Sequence, residues 1–396
     1  MNTFENLGIF PQFAEKLKER SIVQPTAIQS LVIPRLLEGK NLLFRSATGT
    51  GKTFAYLLPA LQLLSENKGG PAVLICAPTL ELCSQIKAEV DFLFSGNNLQ
   101  TALLIGSVNI DKQIENLKKN KPVVIVGNPG RLLVLAKMRK LKFTKLHFLV
   151  LDEADRLTSQ ECIEETKDLL AVIKRDMEYA DNSSLVRCAC SATVDKKTCL
   201  QLGHLFETAE IIESSDHEII RERIEHWAIF SEKRRKIQTL RSLLAAIKGK
   251  KSRIKALVFT SRNDEAGKIL SQLQYHKVRA AGLFSKINNK PITGQERKAA
   301  LDSFREGKTE VLVSTDLAAR GLDIPGISHV IAMDVPAESE VYIHRCGRTG
   351  RAGKRGIMVT IGDETQMRLL ALLEKKLKIR VNPKELYEGR ICVPEL

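Results

Sequence analysis

Two apolar patterns alternate along this chain. Short runs rich in Val, Ile, Leu and Phe predict strands at 41–45, 72–77, 101–105, 123–127, 147–151 and 185–191. Between them, helical spacing of apolar residues predicts helices such as 84–94 and 110–120. Alternation of this kind builds βαβ units, hence a mostly parallel sheet with helices on both faces. The pattern stops at Glu213-Ser214-Ser215-Asp216-His217-Glu218, which is polar and aperiodic. It then resumes, with strands expected at 224–230, 256–260, 311–314, 329–333 and 357–361 and helices at 233–247 and 265–273. A basic helix is expected at 367–378, close to the end of the chain. The fold class is therefore α/β, with two tandem domains at 1–212 and 223–396 and a linker at 213–222.

The length of 396 residues suits two domains with full cores, and 43% hydrophobic residues argues against wholesale disorder. Net charge changes the picture more. At +15 it exceeds what solubility needs and points to a polyanionic partner, nucleic acid being the usual one. A basic surface with no partner is the competing reading. The eight cysteines lack metal-ligand spacing, so reduced thiols in a cytoplasmic protein are expected. The first residues do not read as a signal peptide, and no apolar run is long enough to span a bilayer.

Candidate chemistry begins with Ser46-Ala47-Thr48-Gly49-Thr50-Gly51-Lys52-Thr53, between a predicted strand and a predicted helix. The spacing is that of a phosphate-binding loop, with Ser46 in the first Gly position. Backbone N–H groups from Thr48 to Gly51 and the helix start would bind phosphate oxygens. Lys52 supplies charge for the β- and γ-phosphates of a nucleotide, and the Thr53 hydroxyl a ligand for Mg²⁺. Farther on, Asp152-Glu153-Ala154-Asp155 follows the apolar run Phe148-Leu149-Val150-Leu151. Two carboxylates at the end of a buried strand are unfavourable unless a cation meets them, and nucleotide-borne Mg²⁺ is the economical one. Asp152 would hold that ion, and Glu153 would orient the attacking water. A helix N-cap is the competing reading of this pair. His344-Arg345-Cys346-Gly347-Arg348-Thr349-Gly350-Arg351 is too cationic and glycine-rich to predict a core element. It reads either as a solvated basic loop or as arginines presented to a γ-phosphate.

With these segments in this order, the chain resembles the DEAD-box ATP-dependent RNA helicases over nearly its whole length. The resemblance implies two RecA-like domains with ATP between them and RNA crossing both. Phe4 and Pro25-Thr26-Ala27-Ile28-Gln29 resemble the adenine-recognition element, Phe4 stacking on the base and Gln29 reading its polar edge. Pro78-Thr79-Leu80-Glu81-Leu82, Gly106-Ser107 and Asn128-Pro129-Gly130-Arg131 are similar to first-domain RNA motifs, which implies RNA contacts at Thr79, Gly106, Pro129, Gly130 and Arg131. Arg262, Arg297 and Thr315 follow as second-domain contacts. Ser191-Ala192-Thr193 matches the segment that links hydrolysis to strand separation, so Asp155, Ser191, Thr193 and His344 are expected coupling residues. Arg348 and Arg351 become the expected arginine fingers, and Asp323 is expected near the ribose.

Several positions depart from the family pattern. Leu80 replaces an Arg, Ser107 a Gly, Asn128 a Thr and Cys346 an aliphatic residue. The segment 284–294 is longer than the usual turn, and its Asn288-Asn289-Lys290-Pro291 reads as a surface loop. It is either a neutral insertion or a partner site. The resemblance implies RNA-stimulated ATP hydrolysis coupled to domain closure and local, non-processive duplex separation. An ATP-gated RNA clamp and a DNA translocase are the alternatives. A monomer binding RNA through its backbone is expected, with protein adaptors supplying specificity.

Overall fold

The computed structural model describes residues 3–45, 50–66, 72–95, 99–180, 184–191, 201–213, 223–249, 254–284, 286–287, 290–319, 324, 326–350 and 355–394. The chain divides into two compact units, Met1–Ser214 and Ser215–Leu396.

The first unit holds seven strands: β1 (Leu42–Arg45), β2 (Val73–Cys76), β3 (Thr101–Leu104), β4 (Val124–Gly127), β5 (Phe148–Asp152), β6 (Val186–Ser191) and β7 (Glu210–Glu213). They lie in the order β3-β4-β2-β5-β6-β1-β7, every pair parallel. Side chains of a strand alternate between its faces, and here both faces are buried. Phe44, Ile75, Val126 and Val150 enter one core; Leu43, Leu74, Ile125 and Leu149 enter the other. That double burial is why the strands read as continuous apolar runs.

The second unit repeats the scheme with β8 (Ile224–Phe230), β9 (Ala256–Thr260), β10 (Ala280–Leu283), β11 (Lys286–Ile287), β12 (Lys290–Pro291), β13 (Val311–Thr315), β14 (His329–Ala332), β15 (Gly356–Gly362), β16 (Val381–Tyr387) and β17 (Arg390–Cys392). Its main sheet runs β10-β13-β9-β14-β15-β8-β16-β17, parallel except for the last pair. Phe259 and Leu312 face one core, Val258 and Val313 the other.

Six of the described strands escape the hydropathy pattern: β7, β10, β11, β12, β16 and β17. Within the segment 284–294, β11 and β12 form a two-residue antiparallel ladder, and Asn288 and Asn289 lie outside the described residues. It leads into a helix, Gly294–Arg305, whose capping box joins Thr293 to Glu296. The helix expected from 84 starts at Leu80, because the Thr79 hydroxyl accepts from Leu82 N–H and caps it. Among the described residues no helix is long and apolar enough to cross a membrane.

Candidate active site

In a parallel sheet all carboxyl ends share one edge, and ligands bind there. The strand order of the first unit divides that edge in two. β5, β6 and β1 end beside one another, so Asp152, Ser191 and Arg45, the residue before the phosphate-binding loop, share this stretch of the edge. Asp152 is in register with Cys190, and Arg45 with Ser191. On the other half, β3, β4 and β2 end beside one another and carry Gly106, Pro129 and Thr79.

Gly51 has φ +92°, a left-handed conformation that glycine accepts without strain. It directly precedes the helix Lys52–Gln62, and a Cβ there would stand 2.4 Å from the Gln29 amide nitrogen. That nitrogen donates to Gly51 O at 3.0 Å, while Gln29 Oε1 accepts from Thr26 N–H at 2.9 Å. Gln29 thus ties its own helix start to the phosphate-binding loop. Lys52 is buried, and Thr50 and Thr53 are half-buried. Thr48 and Gly49 lie outside the described residues, as do Thr193, Asp323 and Arg351.

Phe4 is 2% exposed and packs in the core that includes Ile28, Val32 and Leu36. The one-turn helix Glu5–Leu7 closes over it, Leu7 and Ile9 N–H both donating to Phe4 O. It packs against the helix Ala27–Leu37, which carries Gln29.

Asp152 is 4% exposed and held on every side. Tyr56 Oη donates to Oδ2 at 2.8 Å; Cys190 Sγ–H and Glu153 N–H donate to Oδ1 at 3.1 and 2.9 Å. Burial, reinforced by the Asp152 charge, pushes the Tyr56 phenol and the Cys190 thiol well up, which keeps both as donors. The next residue, Glu153, has φ +54° and ψ 53°. A non-glycine residue in this region is strained by about 1–3 kcal/mol, and such strain collects at functional sites. Glu153 occupies the N-cap position of the helix Ala154–Leu157, yet its side chain makes no capping hydrogen bond. Glu153 thus stands at a helix start without the hydrogen bond of a capping side chain. Asp155 is half-buried and accepts from Arg156 N–H at 3.0 Å. Ser191 is fully buried at the end of β6.

On the other half of the edge, Arg131 binds the loop after β3. Its guanidinium donates to Gly106 O at 2.9 Å and to Val108 O and Gln113 Oε1 at 3.1 Å. Gly130 packs so closely that an added Cβ would meet the Glu165 carboxylate at 2.8 Å. The Gly106 loop and the Pro129–Arg131 segment are thereby fixed to one another.

In the second unit the expectation that 344–351 forms no core element is overturned. Ser339–Cys346 is a helix, and Arg345 is 1% exposed. Its Nε and Nη2 donate to both Asp316 oxygens at 2.6 and 2.7 Å, and Nη2 also to Asp334 Oδ1 at 2.8 Å. Nη1 donates to Asp334 O at 2.8 Å. Asp334 in turn accepts from Ser261 N–H and Oγ–H at 2.6 and 2.9 Å. Asp316, Ser261 and Asp334 follow β13, β9 and β14, which are adjacent. Arg345 thus fastens the ends of three strands, including those bearing Thr315 and Arg262. His344 and Arg348 are buried, and Arg348 Nε donates to His344 O at 3.3 Å. Arg262 is exposed and forks onto Asp264, while Arg297 is half-buried in the first turn of its helix. A cavity of about 470 Å³ beside Ser261 and Arg262 is rimmed by Lys233, Lys236 and Lys268. Tyr56, Cys190, Arg345 and Asp334 are the site residues that motif spacing does not single out.

Comparison with known proteins finds two family matches along the chain. Residues 26–202 match the DEAD/DEAH box helicase family and 235–353 the helicase conserved C-terminal domain. The chain is 36% identical to the DEAD-box ATP-dependent RNA helicase CshC of Bacillus cereus, over 92% of this chain and 88% of the relative. It is 33% identical to the ATP-dependent RNA helicase CshA of Listeria monocytogenes, over 97% and 70%. Among solved structures, S. cerevisiae Dbp5 bound to RNA and ADP BeF3 superposes with a TM-score of 0.85 at 25% identity, covering 98% of this chain and 96% of that one. Mss116p bound to ssRNA and AMP-PNP gives 0.85 at 27%, covering 98% and 80%. Fold and site define a tandem RecA-like nucleotide-dependent helicase. The chain belongs to the DEAD-box ATP-dependent RNA helicases.

Proposed function

We propose that the two halves of the first sheet's carboxyl edge have separate tasks, one binding ATP and the other single-stranded RNA, and that Asp152–Asp155 at the end of β5 connects them. The observation that carries this is the strand order: β5 stands between the phosphate-binding group, β6 and β1, and the RNA-motif group, β2, β4 and β3.

On the nucleotide side, the N–H groups of the loop and the Lys52 ammonium bind the phosphates. Gln29 is tied to the loop through Gly51 O, and Phe4 and Gln29 together form the adenine-recognition element. The residues suit a magnesium ion: Mg²⁺ takes one or two protein oxygens and otherwise prefers water and phosphate. The buried Asp152 carboxylate, with the Thr53 hydroxyl nearby in the loop helix, supplies that small set. When bound, the ion would neutralise charge that develops on the phosphates. Glu153 orients the attacking water and accepts its proton. Tyr56 and Cys190 fix the Asp152 carboxylate, and with it the backbone from which Glu153 projects. Arg348 and Arg351 meet the transferred phosphoryl group when the second unit closes on ATP and RNA.

On the RNA side, Thr79, Gly106, the Pro129–Arg131 segment, Arg262, Arg297 and Thr315 contact phosphate and sugar, so recognition depends little on sequence. Ligands that favour the same closed state strengthen each other's binding, so RNA promotes ATP binding and hydrolysis. Asp155, Ser191, Thr193 and His344 transmit hydrolysis to release. The result is local duplex opening without long translocation.

The test is the steady-state ATPase rate with single-stranded RNA, duplex RNA, single-stranded DNA or no nucleic acid. Stimulation by RNA well above that by DNA is expected. Equal stimulation by DNA overturns the assignment, and binding without turnover favours a clamp.

A further inference from the structure

The basic surplus of the chain is not evenly spread. Between Asn116 and Leu151 there are nine lysines and arginines and no acidic residue, against a net charge of +15 for the whole protein. Five of these cations, Lys121, Arg139, Lys140, Lys142 and Lys145, line one hollow of about 470 Å³. All five are exposed, and among the described residues none forms a salt bridge. Lys118 and Lys119 stand in the helix turn that leads into it.

The position of the hollow separates it from everything described above. Lys121 and Pro122 precede β4, and Thr144 and Lys145 precede β5, so the hollow lies at the amino ends of these strands. The motif residues Pro129–Arg131 and Asp152–Glu153 follow the carboxyl ends of the same two strands. Strands of four or five residues put roughly 15 Å between the two edges.

Helix termini do not account for this charge. The helices Ile110–Asn120 and Pro129–Lys137 both end nearby, and cations favour such ends. Each terminus carries only about half a negative charge, so two of them offset roughly one of the five cations. The remaining cations repel one another across a small cleft unless a polyanion enters. No aromatic residue lines the hollow, which gives bases nothing to stack on, whereas lysine ammonium groups bind phosphate as point charges. The preference for RNA rests on the function proposed above: a protein holding RNA at its carboxyl edge presents this hollow to other parts of the same molecule at high effective concentration. That favours RNA over an acidic protein.

We propose that the hollow is a second, sequence-independent RNA site that holds the backbone of a duplex or folded segment while the carboxyl edge works on a single strand. It acts as a tether and needs no ATP.

The test uses the full chain and two probes, a ten-nucleotide single-stranded RNA and a blunt twenty-base-pair RNA duplex. The variant replaces Lys121, Arg139, Lys140, Lys142 and Lys145 by Gln; all are exposed, and a melting curve checks that it folds. Without nucleotide, duplex affinity should fall at least tenfold. The slope of log K against log salt should shrink by about 3 to 4, close to one per lost phosphate contact. ATPase stimulated by the short strand should stay as in the wild type. The pair Lys142→Glu and Lys145→Glu should show a smaller loss in the same direction. Unchanged duplex binding overturns the proposal. So does a parallel loss of short-strand stimulation, which would merge the hollow with the main RNA track. Loss of polyglutamate binding with duplex binding intact would assign it to an acidic protein instead. A wild type that the short strand fails to stimulate refutes the main-site reading and leaves the duplex measurement standing.

Discussion

Tyr56 Oη lies 2.8 Å from Asp152 Oδ2, a hydrogen bond between two buried side chains 96 residues apart in sequence. The phenol comes from the helix after β1 and the carboxylate from the end of β5, so the bond spans β6. Tyr56→Phe keeps the ring and removes the donor. A buried hydrogen bond to a charged group contributes about 1.5–3 kcal/mol. Chemical denaturation should show a loss of that order, and the RNA-stimulated kcat should fall about tenfold or more. A variant with wild-type kcat would show that Tyr56 only fills space.

The left-handed backbone at Glu153 supports a prediction of opposite sign for stability and activity. Glu153→Gly relieves about 1–2 kcal/mol of backbone strain, partly offset by the greater freedom of glycine in the unfolded chain. Glu153→Gln keeps the strain and removes the base. Both variants should bind ATP and lose ATPase by about a hundredfold or more, in line with loss of a general base. The Gly variant alone should melt at or above the wild type. A marked fall in its melting temperature would mean that the Glu153 side chain supports the fold.

Arg345 is surrounded by carboxylates, and its removal should be severe. Burial pushes the Asp334 carboxyl up, but the Arg345 charge and the Ser261 donors outweigh it and hold it below the usual range. Arg345→Met leaves Asp316 and Asp334 without their cation, at a cost of about 3–5 kcal/mol. Adding Asp316→Asn and Asp334→Asn should recover most of the melting temperature. No recovery would indicate that shape, and not charge, is the problem. In the wild type this contribution is complete above the ordinary Asp pKa of about 3.9 and is lost as pH falls through the lower folded-state value.

His329 predicts a second, milder acid response. Burial lowers its imidazole to about 4, while the unfolded chain takes up the proton near 6.5. Between those values the unfolded state binds more protons, so stability declines as pH falls from about 6.5 towards 4. The slope from one such group is at most about 1.4 kcal/mol per pH unit. His329→Gln should flatten this part of the profile when denaturation is followed at pH 7.5, 6 and 5. An unchanged slope would assign the effect to other groups.

Hydropathy disclosed the doubly buried strands because both faces carry apolar residues, as at Leu42-Leu43-Phe44 and Val73-Leu74-Ile75. It missed β10, Ala280-Ala281-Gly282-Leu283, whose residues have little strand preference. It missed β16 because Pro383 argues against a strand, although such a residue is tolerated near a sheet edge. The phosphate-binding loop and the Asp152–Asp155 segment were legible because each keeps its chemistry within a few consecutive residues. Tyr56 was hidden in an apolar helix, since its partnership depends on the order β5-β6-β1, which spacing does not encode. Arg345 was hidden among other cations; only folding shows that it, unlike Arg262, faces two carboxylates from other strands. Phe4 is named as a ligand contact by resemblance alone, and its burial comes from the turn that closes over it.

The hairpin of β16 and β17 has a consequence for how the molecule behaves in a crowd. β17 is three residues long and begins with an exposed arginine, a short and charged border that discourages other chains from adding on. Behind it, β8 is seven residues long and displays Phe230, 63% exposed. A protein cut before Val381 would turn β8 into an open, sticky margin able to recruit strands from its neighbours. The last strands then serve as a selvedge that keeps the fabric of the second sheet from being knitted into another.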